Sequence, residues 1–173
     1  MAIKPIHAVL TGDLINSQAH APAAIARALA VIGAIAEANS PDHPPKFTRF
    51  RGDGWQFMLA DVPRALRLAV LIHAGLKAEA DLPATRLSIG LGGVDSTGGQ
   101  TLADAAGAAF VVSGQGLDGL ERRGGSLAIA GMGVTPLHQI AVDLLELRLA
   151  LWTQQQAQAA ALFLQPARTT ARD

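Results

Sequence analysis

The alternation of strand-like and helix-like segments predicts an α+β fold of the ferredoxin-like type: a βαββαβ sandwich with an added αβα at its C-terminal end. Three observations predict it. Short apolar runs bounded by Gly, Pro and Asp interleave with alanine-rich stretches whose apolar residues recur at helical spacing. Two of the strand-like runs meet across Gly52-Asp53-Gly54, which inserts one antiparallel hairpin into the alternation. The 173 residues, 50% of them hydrophobic, suffice for one core, and no repeat marks a second. Residues 1–165 read as a single domain and 166–173 as a polar, flexible tail.

Ile6 to Leu10 is an apolar run that reads as a buried strand, broken where Gly12 and Asp13 begin TGDLINS. Ala23 to Ala38 carries Ile25, Leu29 and Ile32 at helical spacing. Three prolines in Asn39 to Lys46 then make a loop. Phe47–Arg51 and Trp55–Leu59 are the hairpin strands. Asp61 is placed to cap the next helix, with Pro63 in its first turn, and the helix runs to about Ala80, burying Leu66, Ala69, Val70, His73 and Leu76 or a neighbouring stripe.

Thr85–Leu91 alternates Leu87, Ile89 and Leu91 as a strand does. GGVDSTGGQTL follows as a glycine-rich loop, and Ala103–Arg123 as a small-residue helix stopped by Gly124-Gly125. Leu127–Ala130 is a last short strand. Thr135-Pro136 is an N-cap and N1 pair opening a helix with Leu137, Ile140, Leu144, Leu147 and Leu151; Thr153–Leu164 continues it or forms another.

Lysine plus arginine and aspartate plus glutamate both total 14, so no large basic footprint for nucleic acid is present. The absence of cysteine excludes disulfides, thiolate ligands and a cysteine nucleophile. The N-terminus lacks a signal-peptide pattern, and no apolar stretch approaches the roughly 20 residues of a membrane span. A cytoplasmic protein without a membrane partner is the expectation. The glycines of GLGGVDSTGGQ follow a late strand, outside the context of a dinucleotide fingerprint. Ser113 lacks a nucleophile elbow, and the histidines at 7, 20, 43, 73 and 138 lack metal-ligand spacing, His73 reading as a packed or hydrogen-bonded helix residue. Trp55 and Trp152 read as core rather than base-stacking platforms.

Two carboxylates occupy special places. Asp13 lies where the first strand runs out and Asp53 at the hairpin tip. The first strand of a ferredoxin-like sheet lies beside the hairpin, which brings both acids to one end. Two carboxylates there repel unless they share a cation, and their hard oxygens suit Mg²⁺ or Mn²⁺ with water and substrate phosphate completing the shell. Two such ions would clamp a phosphoryl transfer. Gly12, Gly52 and Gly54 would let backbone amides approach phosphate closely. Asn16 and Ser17 either help hold phosphate or a metal-bound water, or cap the chain locally. The competing reading of Asp53 is a turn residue bonding its own backbone. Arg49 and Arg51 share a strand face, where they meet either ligand or solvent.

These residues resemble a known group. RFRGDGWQFML resembles the second metal motif of class III nucleotidyl cyclases and the R-[YF]-G-G-D-E-F signature of diguanylate cyclases; VLTGDLINS resembles their first metal motif, and RLSIGLGGVDSTGG their later R-I-G-I-x-x-G strand. The three motifs in this order are similar to the SatD-like family, over roughly Ile6 to Leu117, and Trp152–Ala160 is similar to a helix near the end of that family's core. The resemblance implies a cyclase-like palm fold, nucleotide and metal binding, and a homodimer, since cyclase sites usually form between two subunits. It places Arg49 where adenylyl enzymes often use lysine for base choice, within reach of phosphate or base. The chain departs from the pattern on the helix after the glycine strand. Aligned on Gly107, the cyclase Asn and Arg that steady ribose and transition-state phosphate fall on Val111 and Gln115, which offer neither a matching polar group nor a charge. SatD-like chains often carry a helix-turn-helix beyond this core; none is recognisable here. The expectation is a metal-dependent nucleotide-binding domain with weak or altered nucleotidyl or phosphoryl transfer, or a non-catalytic regulatory or interaction module that keeps the fold.

Overall fold

The computed structural model describes residues 5–39, 46–50 and 52–165. Most of the expected proline-rich loop, Arg51 and the tail 166–173 lie outside the described residues. Among the described residues seven strands and five α-helices follow in order: β1 (Ile6–Leu14), α1 (Pro22–Ala38), β2 (Thr48–Phe50), β3 (Gly54–Leu59), α2 (Ala65–Lys77), β4 (Thr85–Gly93), β5 (Ser96–Thr97), β6 (Ala105–Ala106), α3 (Ala108–Arg123), β7 (Leu127–Gly131), α4 (Pro136–Ala150) and α5 (Gln154–Leu164). The main sheet runs β2-β3-β1-β4-β7. Among its first four members each strand is antiparallel to its neighbour, in the order a βαββαβ unit produces, and β7 adds parallel to β4 through α3. The predicted α+β architecture is therefore the observed one.

Strand alternation sends Ala8, Leu10 and Leu14 of β1, Trp55, Phe57 and Leu59 of β3, and Leu87 and Ile89 of β4 into one core. There they meet Leu29 and Ile32 of α1, Leu68, Ile72 and Leu76 of α2, and Val142 and Leu149 of α4. Trp55 is fully buried, stacks on Phe57 at 5.9 Å and donates from Nε1 to Thr85 Oγ1 at 3.1 Å, so it is a core residue. Trp152 packs against the same core from its edge. The opposite sheet face holds α3. There a chain of side-chain hydrogen bonds runs from the half-buried Gln56 Nε2 to Thr11 Oγ1 (2.8 Å) and on to the buried Ser113 Oγ (2.7 Å), joining β3, β1 and α3.

Several expectations are corrected. β1 does not break at Gly12 but runs to Leu14, because it is the central strand, paired on both sides. Gly12 is needed there since a Cβ would overlap the Trp55 ring and the Arg86 carbonyl. The helix expected from Ala103 starts at Ala108. Ala105 and Ala106 instead pair with Thr97 and Ser96, and Gly107, at φ 145°, turns the chain into α3. Lys46 holds this excursion, its Nζ donating to the carbonyls of Thr97, Gly98 and Gly99 at 2.7–3.1 Å. Asp61 does not cap a helix; a 3-10 turn over Val62–Arg64 intervenes, and Asp61 pairs with Arg64 at 2.8 Å. Leu66 is exposed, and the buried α2 stripe is Leu68, Ala69, Leu71, Ile72 and Leu76. Thr153–Leu164 is a separate helix, opened by reciprocal bonds between Thr153 and Gln156.

Candidate functional site

The site forms where β1 leaves the sheet. Side-chain alternation puts Asp13 with Thr11 on the α3 face, opposite the Trp55 face. In register, Asp13 faces Arg86 of β4, and Arg86 grips it with two bonds, Nε to Oδ1 at 2.8 Å and Nη2 to Oδ2 at 3.0 Å. Both side chains are mostly covered, 19% and 25% exposed. Glu121 of α3 approaches Arg86 Nη2 at 3.7 Å. The hydrogen bonds to Asp13 raise the Arg86 pKa, partial burial opposes them, and the charges of Asp13, Glu121 and Asp53 add to the rise. Arg86 is thus a fixed cation among three carboxylates.

After β1 the chain turns at Asn16, whose φ of 52° makes it the one non-glycine residue with positive φ among those described. Asparagine tolerates that left-handed conformation better than most residues. The turn sets Ser17 opposite the β2–β3 hairpin, and Ser17 Oγ donates to Asp53 Oδ2 at 2.5 Å. The hairpin closes at the Phe50–Gly54 pair. Gly52 sits at φ 83° with open space where a side chain would stand, so conformation alone demands glycine there.

The two predicted carboxylates converge. Asp13, Asn16, Ser17, Asp53, Arg86 and Glu121 line one open cleft of about 520 Å³. An adjoining cleft of about 490 Å³ shares Ser17 and Asp53 and adds Arg49, Gly52 and His20. Gly12 and Gly54 differ from the expectation of close phosphate approach. The space left by their missing side chains is bordered by Trp55 and by Phe50 respectively, so internal packing accounts for both. A third cavity of about 450 Å³, lined by His73, Lys77, Ser126 and Trp152 among others, contains neither aspartate.

The donor set could offer a divalent ion only a few protein ligands. A carboxylate offers about four acceptor positions; Arg86 uses two of those on Asp13, and Ser17 uses one on Asp53. Among the described residues no group of three or more His, Asp or Glu is gathered to hold a metal. The arrangement fits an ion that takes one or two carboxylates and fills its shell with water and phosphate, the usual habit of Mg²⁺, rather than an all-protein cage.

Sequence reasoning missed Arg86 and Glu121 as site residues. Arg86 stands first in the R-x-x-I-G strand motif, but only the β1–β4 register reveals that it meets Asp13. Val111 and Gln115 are both exposed on α3.

No protein-family profile matches the chain, and no curated protein matches it. Solved structures do. The chain is similar to the GGEEF domain of a diguanylate cyclase from Vibrio cholerae, at 17% identity over 72% of this chain and 82% of that one, with a TM-score of 0.51. It is similar to a bacterial light-regulated adenylyl cyclase at 16% identity over 74% of this chain and 77% of that one, with a TM-score of 0.53. A further structure of a bacterial light-regulated adenylyl cyclase matches at 15% identity over 92% of this chain and 57% of that one, with a TM-score of 0.55. These likenesses show a nucleotide cyclase-like palm fold.

Proposed function

We propose that this chain binds a nucleoside triphosphate at the strand-end cleft with one Mg²⁺ or Mn²⁺ ion, as a cyclase-like domain of the SatD-like kind. The observation that carries the reading is the convergence of Asp13 and Asp53, 40 positions apart in the numbering, on one cleft. Three carboxylates against one guanidinium leave that cleft net negative. A triphosphate would be repelled from it unless a cation came too. When bound, the ion would neutralise phosphate charge and orient the phosphoryl groups.

The chain's own residues have separable tasks in this reading. Arg86 orients Asp13, and Ser17 orients Asp53. Arg49 and Gly52, in the adjoining cleft, would receive phosphate or base, Arg49 by charge and Gly52 by leaving its backbone open. Asn16 and Ser17 supply polar groups at the floor. The exposed Val111 and Gln115 stand where the resemblance places transition-state groups, and they favour weak or altered nucleotidyl or phosphoryl transfer over efficient turnover. A non-catalytic regulatory module is the second reading, favoured by the engagement of both Asp13 oxygens by Arg86.

The test is calorimetric titration with ATP and GTP, each with and without Mn²⁺, on wild type and Asp53→Asn, followed by mass spectrometry of the incubated nucleotide. Metal-dependent binding lost in Asp53→Asn supports the site. Binding without a new product selects the regulatory reading, and a cyclic or transferred nucleotide product selects the enzymatic one.

A further inference from the structure

Helix α4 is apolar on two opposite sides. Val142, Leu145 and Leu149 face inward and pack on the core. Leu137, Ile140, Leu144 and Leu147, with the C-cap residue Leu151, form a second stripe that is 56–74% exposed. A helix apolar all round is ordinarily buried all round, and a soluble monomer rarely shows so continuous an apolar patch. The outer stripe has the 3-4-3-4 spacing of a coiled-coil seam, with Leu137, Leu144 and Leu151 at a positions and Ile140 and Leu147 at d.

The flanks specify the occupant. Asp143 falls at g and Arg148 at e, on opposite sides of the stripe. In a parallel pair of helices each g residue meets the e residue five positions on in its partner. Asp143 of one copy would therefore meet Arg148 of the other, twice over by symmetry. An antiparallel pair would instead bring like flanks together. The remaining flank positions, Ala141 and Ala150, are small and allow close approach. Neither Asp143 nor Arg148 forms an ion pair among the described residues. Outside the described residues, 40–45 and 166–173 contain no large apolar side chain, and residues 1–4 contain two, Met1 and Ile3, against a stripe of five.

We infer that α4 is a homodimer seam, joining two copies of this chain through a short parallel coiled coil about a twofold axis. The helix is already ordered by its inner face, so pairing does not carry the nucleation cost that makes isolated short helices marginal. The inner and outer stripes lie on opposite sides, which places the two protein bodies away from each other. An isologous contact of this kind is the commonest oligomer geometry. The inference rests on this surface alone and is independent of nucleotide binding.

Sedimentation equilibrium tests it. Wild type is expected at twice the 17.9 kDa chain mass, and Leu144→Glu at the single mass with an unchanged circular dichroism spectrum. Asp143→Arg and Arg148→Asp are each expected to lose self-association, and to form a heterodimer when mixed. A wild type that stays monomeric up to about 100 µM, a concentration that would populate any micromolar dimer, overturns the inference and leaves the stripe to another partner. A dimer that survives Leu144→Glu overturns it too, and a dimer whose two charge variants do not pair when mixed overturns the parallel orientation.

Discussion

At the residue scale the site is governed by Arg86. It occupies Asp13 with both arms, so any divalent ion must share that carboxylate with a guanidinium only a few ångströms away. Removing the positive charge exposes the acid. Arg86→Met is expected to lower stability by about 1–3 kcal/mol, from the loss of a largely covered charged hydrogen-bond pair. It is also expected to tighten Mn²⁺ binding in the absence of nucleotide by about tenfold, since a charge within a few ångströms is readily worth 1.4 kcal/mol. Urea unfolding reads the first effect and Mn²⁺ titration the second; unchanged or weaker Mn²⁺ binding would count against the competition.

A second residue-scale effect concerns His73, which lines a different cavity, one that contains neither aspartate. Burial of its ring lowers its pKa to about 4; Glu146 and the Ser126 backbone oppose this and Lys77 adds to it. Its Nε2 has no hydrogen-bond partner among the described residues. A histidine whose folded pKa lies below its unfolded value near 6.5 takes up its proton more readily when unfolded. Stability from this group is intact above pH 6.5 and falls as the pH drops towards 4, by roughly 3 kcal/mol over the window. His73→Leu is expected to flatten the difference in unfolding free energy between pH 7 and pH 4.5 relative to wild type. Identical pH profiles would show that the ring is solvated.

At the element scale, the contact of α4 with β7 hangs on Glu146. Its carboxylate accepts from the Ser126 amide, from the Leu127 amide at 3.2 Å and from Arg123 Nη1 at 3.0 Å. Burial alone would raise its pKa, yet these donors together lower it. Glu146→Gln keeps the shape and loses the charge, so it is expected to cost about 1–3 kcal/mol, seen as a lower urea midpoint with an unchanged slope. Because the folded pKa is depressed, that stabilisation is present at neutral pH and disappears in wild type as pH falls through the carboxylate range.

The elements also show where sequence reading stops. Thr135-Pro136, Gly124 and the GDG turn announce their own conformations, and each stands where it was expected. The β5–β6 ribbon was hidden because alanines at 105 and 106 favour helix locally, and only the φ of Gly107 and the distant Lys46 override them. Gly12 looked like a breaker because its reason, the Trp55 ring, lies 43 positions away in the numbering. Gly12→Ala is expected to cost about 1–3 kcal/mol or more through overpacking, measured by thermal unfolding.

At the scale of the whole molecule, the order of strands and helices carried the fold, since a βαββαβ order restricts the sheet to few topologies. It also carried the meeting of Asp13 and Asp53 at one end of that sheet. What the order could not carry was the pairing partner of each acid, which depends on register and on α3. The exposure of the α4 stripe was equally illegible: a heptad reads alike whether it faces a core or a second chain. The same fold therefore presents two surfaces, a negative cleft at the strand ends and an exposed apolar stripe along α4.

The nucleotide reading stands or falls on one measurement, the thermal unfolding of wild type and Asp53→Asn with ATP or GTP in the presence of Mn²⁺. At about 100 times the dissociation constant, binding to the folded state adds roughly 2.7 kcal/mol, a rise of roughly 5–10 °C for a domain of this size. The account predicts that rise in wild type only when metal and nucleotide are both present, and its loss in Asp53→Asn. An unshifted wild type at millimolar ligand, or an equal shift in both proteins, would contradict it.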